Sequence, residues 1–330
     1  MAYQKIPMTS DKVTDSLFIS NNPNAEQFDI LFVAHMDTVF PLGTGKDVPF
    51  KRQDGHINAL GVIDDKAGAL LSFYVLQELD LSRYNIGIYL NSHEEIGSMY
   101  AKESIRDYAR KSKYCFVMEP AREDGSMVAT RKGMITYKVE FHGVAAHAGN
   151  HPERGRSALV EAANFIVEFS KLNDFNAGHT FNCFMTNGGS AHNVIADYSS
   201  LIIEMRYKLP SSAEYFERHL KRILENPFVQ GVTSNKELIN VEAPMIDEIH
   251  LPKIKQVFDQ VGQELQTPIK WVDAGGLSDG NIAASAGCPT IDGLGPTGGN
   301  MHAKTEYLVI DSVVPKCNLV LAVIKKLFEK

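Results

Sequence analysis

Leu31-Phe32-Val33-Ala34-His35-Met36-Asp37 is an apolar run that stops abruptly at a histidine, with an acid two positions later. Apolar runs of this length suit a buried core strand. In open α/β sheets the C-terminal ends of strands are where ligand sites collect. In an extended tip His35 and Asp37 project to one side, because strand side chains alternate with period two. The aspartate can then orient the imidazole, as carboxylates do for metal-bound histidines. Taken alone, a structural histidine beside a surface acid is the simpler reading, so the rest of the chain must decide.

The same pattern recurs further along the chain. Ile86–Leu90 is a short strand running into Asn91-Ser-His-Glu94-Glu95-Ile-Gly97, and Tyr114–Met118 is another, ending in Glu119-Pro120. Pro120 biases Glu119 toward extended geometry. Adjacent acids on a surface helix are usually solvated charge, but Glu94 and Glu95 follow a strand directly and precede a glycine. Three successive strand ends therefore carry an acid or a histidine. Between them, Gly61-Val-Ile-Asp64-Asp65-Lys66-Ala-Gly68 leads into a helix with an apolar stripe of Leu70, Leu71, Tyr74, Val75, Leu76 and Leu79. The plain reading of Asp64 and Asp65 is a cap and a first-turn acid at that helix N-terminus. Upstream, Lys12–Ile19 and Asp29–Ala34 flank the turn formers Asn21-Asn-Pro-Asn24, which predicts a hairpin and entry into the sheet near Lys12.

At 330 residues the chain is long enough for two domains, and 44% hydrophobic with 22% charged residues is ordinary for a globular protein. A net charge of −7 argues against nucleic-acid and anionic-membrane partners. Met1–Lys12 holds no long apolar run, so neither a secretory signal nor a membrane anchor is read there and a cytoplasmic location is expected. Cys115, Cys183, Cys288 and Cys317 are far apart and form no C-x-x-C pair, which argues for reduced, mostly buried thiols.

From about Met134 the character changes. Ile135–Phe141 alternates like a half-buried strand, Gly143–Gly149 is a small-residue turn around His147, and Ser157–Ser170 is an amphipathic helix. Strands Thr180–Thr186 and Ser200–Tyr207, helix Ala213–Leu224 and a strand around Leu238–Val241 complete the order β-α-β-β-α-β, that of a ferredoxin-like α+β unit. The predicted fold class is thus α/β, a mixed-sheet domain of residues 1–131 and 244–330 with residues 132–243 inserted. After the insertion come helix Leu251–Leu265, strand Ile269–Val272, the loop Gly275–Asn281, helix Asn281–Ala286, a strand-like Thr290–Gly293, the loop ending in His302, and helix Val313–Glu329.

Collected, His35, Asp37, Asp64, Glu94, Glu95, Glu119 and His302 offer two imidazoles, several carboxylates and no thiolate, a set suited to paired divalent ions such as zinc, cobalt or manganese. A two-metal site needs a shared carboxylate and a water, and the water needs a base that is not itself a ligand. Adjacent Glu94 and Glu95 can divide ligand and base roles between them.

With these residues in view, the chain resembles the di-zinc metallopeptidase and aminoacylase family that includes glutamate carboxypeptidase, acetylornithine deacetylase, succinyl-diaminopimelate desuccinylase and tripeptidase. The glutamate carboxypeptidase branch is the most similar in pattern. The resemblance runs through His35-Met-Asp-Thr, Gly61–Gly68, Glu94-Glu-Ile-Gly-Ser98, Met118-Glu-Pro120, Gly143–Gly149 with Pro152–Ala158, Asn193-Val-Ile, Glu204-Met-Arg206, Gly276–Asn281 and His302-Ala-Lys-Thr-Glu306. It implies a di-zinc catalytic domain with an inserted dimerisation or lid domain. It makes His35, Asp64 and Glu119 ligands of one ion and Asp64, Glu95 and His302 ligands of the other, with Asp37 orienting His35 and Glu94 as general base. His147 matches a histidine donated across a dimer interface to the developing oxyanion, and Asn193 and Arg206 match contacts to the substrate carbonyl and carboxylate. Gly275 and Gly276, with Ser278 to Asn281, either bind substrate backbone or form a tight turn.

The expected activity is hydrolysis of a peptide or N-acyl amide bond beside a residue with a free carboxylate. A di- or tripeptidase requiring a free α-amine is the alternative, and a catalytically silent peptide-binding relative the alternative of another class. Three departures stand out: few residues precede the first strand, Ala196 replaces the proline that relatives carry after Asn-Val-Ile, and nothing in Arg122–Arg131 fixes side-chain selectivity.

Overall fold

Phe28–His35 fixes the layout of the first of two units. In the computed structural model, which describes residues 1–11 and 13–329, the chain divides into residues 1–131 with 245–330 and residues 132–244. The first unit opens with β1 (Ala2–Ile6), β2 (Ser16–Ser20) and β3 (Phe28–His35). Next come β4 (Lys51–Gln53), β5 (His56–Asn58), α1 (Ala67–Glu78), β6 (Ile86–Asn91), α2 (Lys102–Arg110), β7 (Ser112–Val117) and β8 (Met127–Arg131). The second unit contributes β9 (Gly133–His142), α3 (Ala158–Ser170), β10 (Thr180–Asn187), β11 (Tyr198–Tyr207), α4 (Ser211–Glu225) and β12 (Thr233–Glu242). The first unit resumes with α5 (Leu251–Glu264), β13 (Trp271–Ala274), α6 (Asp279–Ser285), β14 (Thr290–Ile291), β15 (Gly298–Gly299), β16 (Tyr307–Val309) and α7 (Val313–Phe328).

The main sheet has the order β1-β2-β6-β3-β7-β14. β3 lies parallel to both β6 and β7, whereas β2 is antiparallel to β6. Ile30, Leu31, Phe32 and Val33 are fully buried, as expected of a parallel strand covered on both faces. Ile30 and Phe32 pack with Leu71 and Val75 of α1, Phe258 of α5 and Val320 of α7. Leu31 and Val33 pack on the other face with Ile105 of α2 and Ile282 of α6. Period-two alternation in one strand thus holds helices on both sides.

Three local expectations are corrected. β2 and β3 do not form a hairpin: β6 lies between them, and β2 pairs with β1 and β6. The Asn21–Asn24 turn leads to the head of β6, where the Asn21 amide donates to the carbonyls of Leu81 and Tyr84 and accepts from Ile86 N. A strand apolar on both faces gains more from two parallel buried neighbours than from the outer strand β2. β1 escaped notice because three of its five residues are exposed, so it shows no apolar run. Lys12, where the expected first strand begins, lies outside the described residues.

In α1 the buried face is Leu71, Val75 and Leu76, while Leu70 and Tyr74 are 59% and 57% exposed. Residues four apart share a face, so 70 and 74 form a neighbouring stripe turned to solvent. Asp64 and Asp65 do not cap α1. The helix starts at Ala67 with no side-chain cap, and both acids sit in the preceding turn with non-helical backbone, buried. That turn approaches α1 closely: a Cβ at Gly68 would lie 2.0 Å from Met118 O and 2.1 Å from Asp65 Oδ1, so only glycine fits.

The second unit is an antiparallel sheet of order β10-β11-β9-β12. In sequence its elements run β-α-β-β-α-β, the ferredoxin-like pattern. Along β9 buried and half-buried residues alternate from Gly133 to Phe141, and His142 at the end is exposed. Val139, Phe141, Leu201 and Ile203 of the sheet pack against Phe165 and Phe169 of α3 and Phe216 and Leu220 of α4. Among the described residues no helix is long and apolar enough to cross a membrane.

Candidate metal centre

β3 delivers His35 at its last residue, 2% exposed. Its Nε2 lies 2.9 Å from Asp64 Oδ1 and 3.8 Å from Glu119 Oε1. A second imidazole arrives from the loop between β15 and β16: His302 Nε2 lies 3.2 Å from Asp64 Oδ2 and 3.2 Å from Glu95 Oε2. Asp64 thus presents one carboxylate oxygen to each histidine. The ligand atoms of His35, Asp64 and Glu95 fall within 4.8 Å of one another, as do those of His35, Glu94 and Glu119. His302, unlike His35, is 58% exposed along its side chain.

Asp37 does more than touch the His35 ring, whose Nδ1 lies 3.4 Å from Asp37 Oδ1 and 3.2 Å from the Asp37 carbonyl oxygen. Its two carboxylate oxygens also accept the backbone N–H groups of Glu94 and Glu95, each at 3.0 Å. One side chain therefore orients the imidazole and holds the turn that carries both glutamates. The turn is gripped at its ends by Asp279, which accepts from Asn91 Nδ2 at 2.8 Å and from Ser98 Oγ at 2.5 Å. Asp279 stands at the head of α6, where Ser278 and Asn281 form a capping box that starts the helix two residues earlier than expected.

The charge balance is strongly one-sided. Burial pushes the Glu94 carboxyl well above its usual range, and Glu119 and Asp279 add to this. Burial and Asp64 raise Glu119 to about 8, and the same two causes raise Glu95. Burial lowers His35, but hydrogen bonds to Asp37 and Asp64 and the charges of Glu119 and Asp65 outweigh it and hold the imidazole well above its usual value. Burial raises Asp37, yet the His35 hydrogen bond and charge and the two backbone N–H groups bring it below the usual carboxylate range. Buried acids crowded around two imidazoles favour protonation, and a divalent cation reverses that preference. Imidazole nitrogen and carboxylate oxygen without sulfur is a donor set that zinc and its neighbours accept. The residues present therefore fit a metal pair.

Several contributors were not visible in sequence. Asp65, read as a helix acid, is fully buried; its Oδ2 accepts from His35 N at 3.4 Å, and its Oδ1 has no hydrogen-bond partner. Arg131 pairs with Asp292 at 2.6 Å and donates to the carbonyls of Gly276 and Leu277 at 3.2 and 3.3 Å. It fixes the loop bearing Gly275 and Gly276, both exposed, where an added Cβ would meet nothing within 4 Å.

In the second unit His147 is exposed, and its Nδ1 accepts from Gly149 N and Asn150 N, each at 3.1 Å. A neutral ring so held carries its proton on Nε2. Asn193 lies in an adjoining turn, its carbonyl accepting from Ala148 N at 2.9 Å, and Val194 forms a bridge with His147. Arg206, half-buried and 2.7 Å from Glu204, sits near the opposite end of β11 from Tyr198, which pairs with His142. Eight residues of extended strand span ~27 Å, so this unit brings His147 and Asn193 together and leaves Arg206 apart.

Comparison with known proteins agrees with this geometry. Residues 31–326 match Peptidase family M20/M25/M40. Carboxypeptidase G2 of Pseudomonas sp. (strain RS-16) is 27% identical over 300 residues, covering 86% of this chain and 70% of that protein. Succinyl-diaminopimelate desuccinylase of Verminephrobacter eiseniae is 24% identical over 307 residues, covering 86% and 75%. Among solved structures, aminopeptidase PepT from Bacillus cereus superposes with a TM-score of 0.76 at 23% identity, covering 99% of this chain and 84% of that one. With nearly the whole chain matched and the acid–histidine cluster in place, the protein belongs to the metal-dependent hydrolases of Peptidase family M20/M25/M40.

Proposed function

We propose that the chain hydrolyses a peptide or N-acyl amide bond next to a residue with a free carboxylate, using two divalent ions, zinc first among the candidates. The observation that carries this reading is Asp64, one oxygen toward His35 and the other toward His302, with Glu94 beside them. His35, Asp64 and Glu119 would hold one ion, and Asp64, Glu95 and His302 the other. Bound there, the ions supply Lewis acidity and a water acidified toward neutral pH.

Glu94 acts as general base, taking the proton of the attacking water and returning it to the leaving amine. Its turn is held still by Asp37 from one side and Asp279 from the other. His147, its Nε2 proton set by the two N–H groups on Nδ1, donates to the developing oxyanion, a contribution of ~3–4 kcal/mol. Asn193 binds the scissile carbonyl, Gly275 and Gly276 offer backbone to the substrate, and Arg206 takes its carboxylate in the planar geometry guanidinium favours. Arg206 and Tyr198 stand ~27 Å of strand apart on β11, and the His147–Asn193 turn continues from the Tyr198 end; the chain accordingly acts as a homodimer through its second unit, with the His147 of one copy completing the site of the other.

A substrate panel tests this reading. N-acyl amino acids and N-blocked dipeptides should be turned over with added Zn²⁺, Co²⁺ or Mn²⁺, and amidation of the substrate carboxylate should raise KM. Cleavage of free di- and tripeptides alone, with no turnover of acylated substrates, would move the activity to an aminopeptidase type. Exchange of Asp37 for asparagine should weaken metal binding or turnover by roughly 10–100-fold, measured by metal titration and kcat/KM. An unchanged variant would leave Asp37 without the orienting role.

A further inference from the structure

Glu306 lies four residues beyond His302, 1% exposed, at the entry to β16. It belongs to neither of the two ligand groups formed around His35. Its carboxylate instead takes three backbone N–H groups from one short turn: Gly61 N on Oε2 at 2.7 Å, and Ile63 N and Asp64 N on Oε1 at 2.8 and 3.1 Å. Hydrogen bonds to an ionised acceptor are about twice as strong as neutral ones, and three on one buried carboxylate fix a turn that otherwise has irregular backbone. Gly61 has φ +64°, and an added Cβ there would lie 2.4 Å from Thr38 Cγ2, so the turn has one shape that its surroundings accept. The third bond is to the backbone of Asp64 itself. Asn58 Nδ2, from β5, donates to the Glu306 carbonyl at 3.2 Å and ties the same residue to β5, which pairs antiparallel with β16.

We propose that Glu306 is a positioning residue for the metal pair: it sets the Asp64 turn from behind, and through its place on the His302 loop it locks the shared carboxylate and the second histidine into one register. Asp64 can present an oxygen to each of two imidazoles only while its backbone is held at a fixed height between them. A carboxylate that reaches both the turn and the loop keeps that height. The inference rests on the metal-pair reading above and concerns a residue outside the ligand set.

The test is competitive titration of metal-free protein with Zn²⁺ against a chromophoric chelator, on wild type, Glu306→Gln, Asp64→Ala and the double variant. Far-UV circular dichroism checks that each is folded. Glu306→Gln keeps an acceptor but places an NH₂ against a backbone N–H, and should weaken zinc binding by roughly 10–100-fold. In the Asp64→Ala background the same exchange should add less than about 2-fold, because its route through Asp64 is gone. Should Glu306→Gln fail to fold, Glu306→Asp is read instead: it keeps the charge, withdraws it by one methylene, and is expected to show an intermediate loss. Wild-type affinity in a folded Glu306 variant, or an equal loss in both backgrounds, would overturn the proposal. Wild type that binds no divalent ion would instead overturn the metal-pair reading.

Discussion

Replacing Glu94 by alanine should lower kcat by about 10²–10⁴-fold, the range positioned general acids and bases contribute, while metal content and KM stay near wild type. The expectation follows from geometry. Glu94 shares a turn with Glu95, yet only Glu95 lies 3.2 Å from His302, and the Glu94 backbone N–H is secured by Asp37 at 3.0 Å. Truncating the side chain removes the proton carrier without releasing the turn, since the backbone bonds to Asp37 do not involve it. Glu94→Gln should be nearly as impaired, because an amide keeps the shape and cannot accept the proton. Steady-state kinetics with metal analysis of the same samples checks both; a variant that retains hydrolysis would remove Glu94 from the mechanism.

Withdrawing metal with a chelator should bring turnover to background, and adding back Zn²⁺, Co²⁺ or Mn²⁺ should restore it. A fall in thermal stability should accompany the loss. Glu94, Glu95, Glu119, Asp64 and Asp65 crowd a space with two imidazoles, and burial raises several of these carboxyl groups. Without a cation the folded state bears that repulsion unaided. An ion present at 1,000 times its Kd contributes ~4 kcal/mol to folding through linkage alone. Differential scanning calorimetry of chelated and reloaded protein reads the shift. Full activity after exhaustive chelation would rule out metal-assisted hydrolysis.

What could be read in sequence was whatever announces itself locally. The β3 run is apolar on both faces, so its burial and the histidine at its tip were legible, as were the strand ends at Glu94–Glu95 and Glu119. The β-α-β-β-α-β order of the second unit followed from unbroken alternation along β9 and two amphipathic helices. The misreadings share a cause, which is that the deciding partner lies far along the chain. A turn at Asn21–Asn24 marks a reversal but not which strand lies beside β2, and β6 took that place. Asp65 reads as a first-turn helix acid, and its burial depends on distant chain such as Met118, which crowds the same Gly68 position as the Asp65 carboxylate. Glu306 could be quoted within a motif, but its grip on Gly61 spans 245 residues. Asp279 likewise meets Asn91 and Ser98 across more than half the chain.

A count of bound metal ions tests whether Asp64, set between His35 and His302, is shared by two ions. Metal-free protein titrated with Zn²⁺ by isothermal calorimetry, with elemental analysis of the dialysed complex, should bind two ions per chain. Asp64→Ala should reduce that number or weaken both sites together. Wild-type protein that binds no zinc, cobalt or manganese under these conditions, or an Asp64→Ala variant that keeps both ions at full affinity, would contradict it.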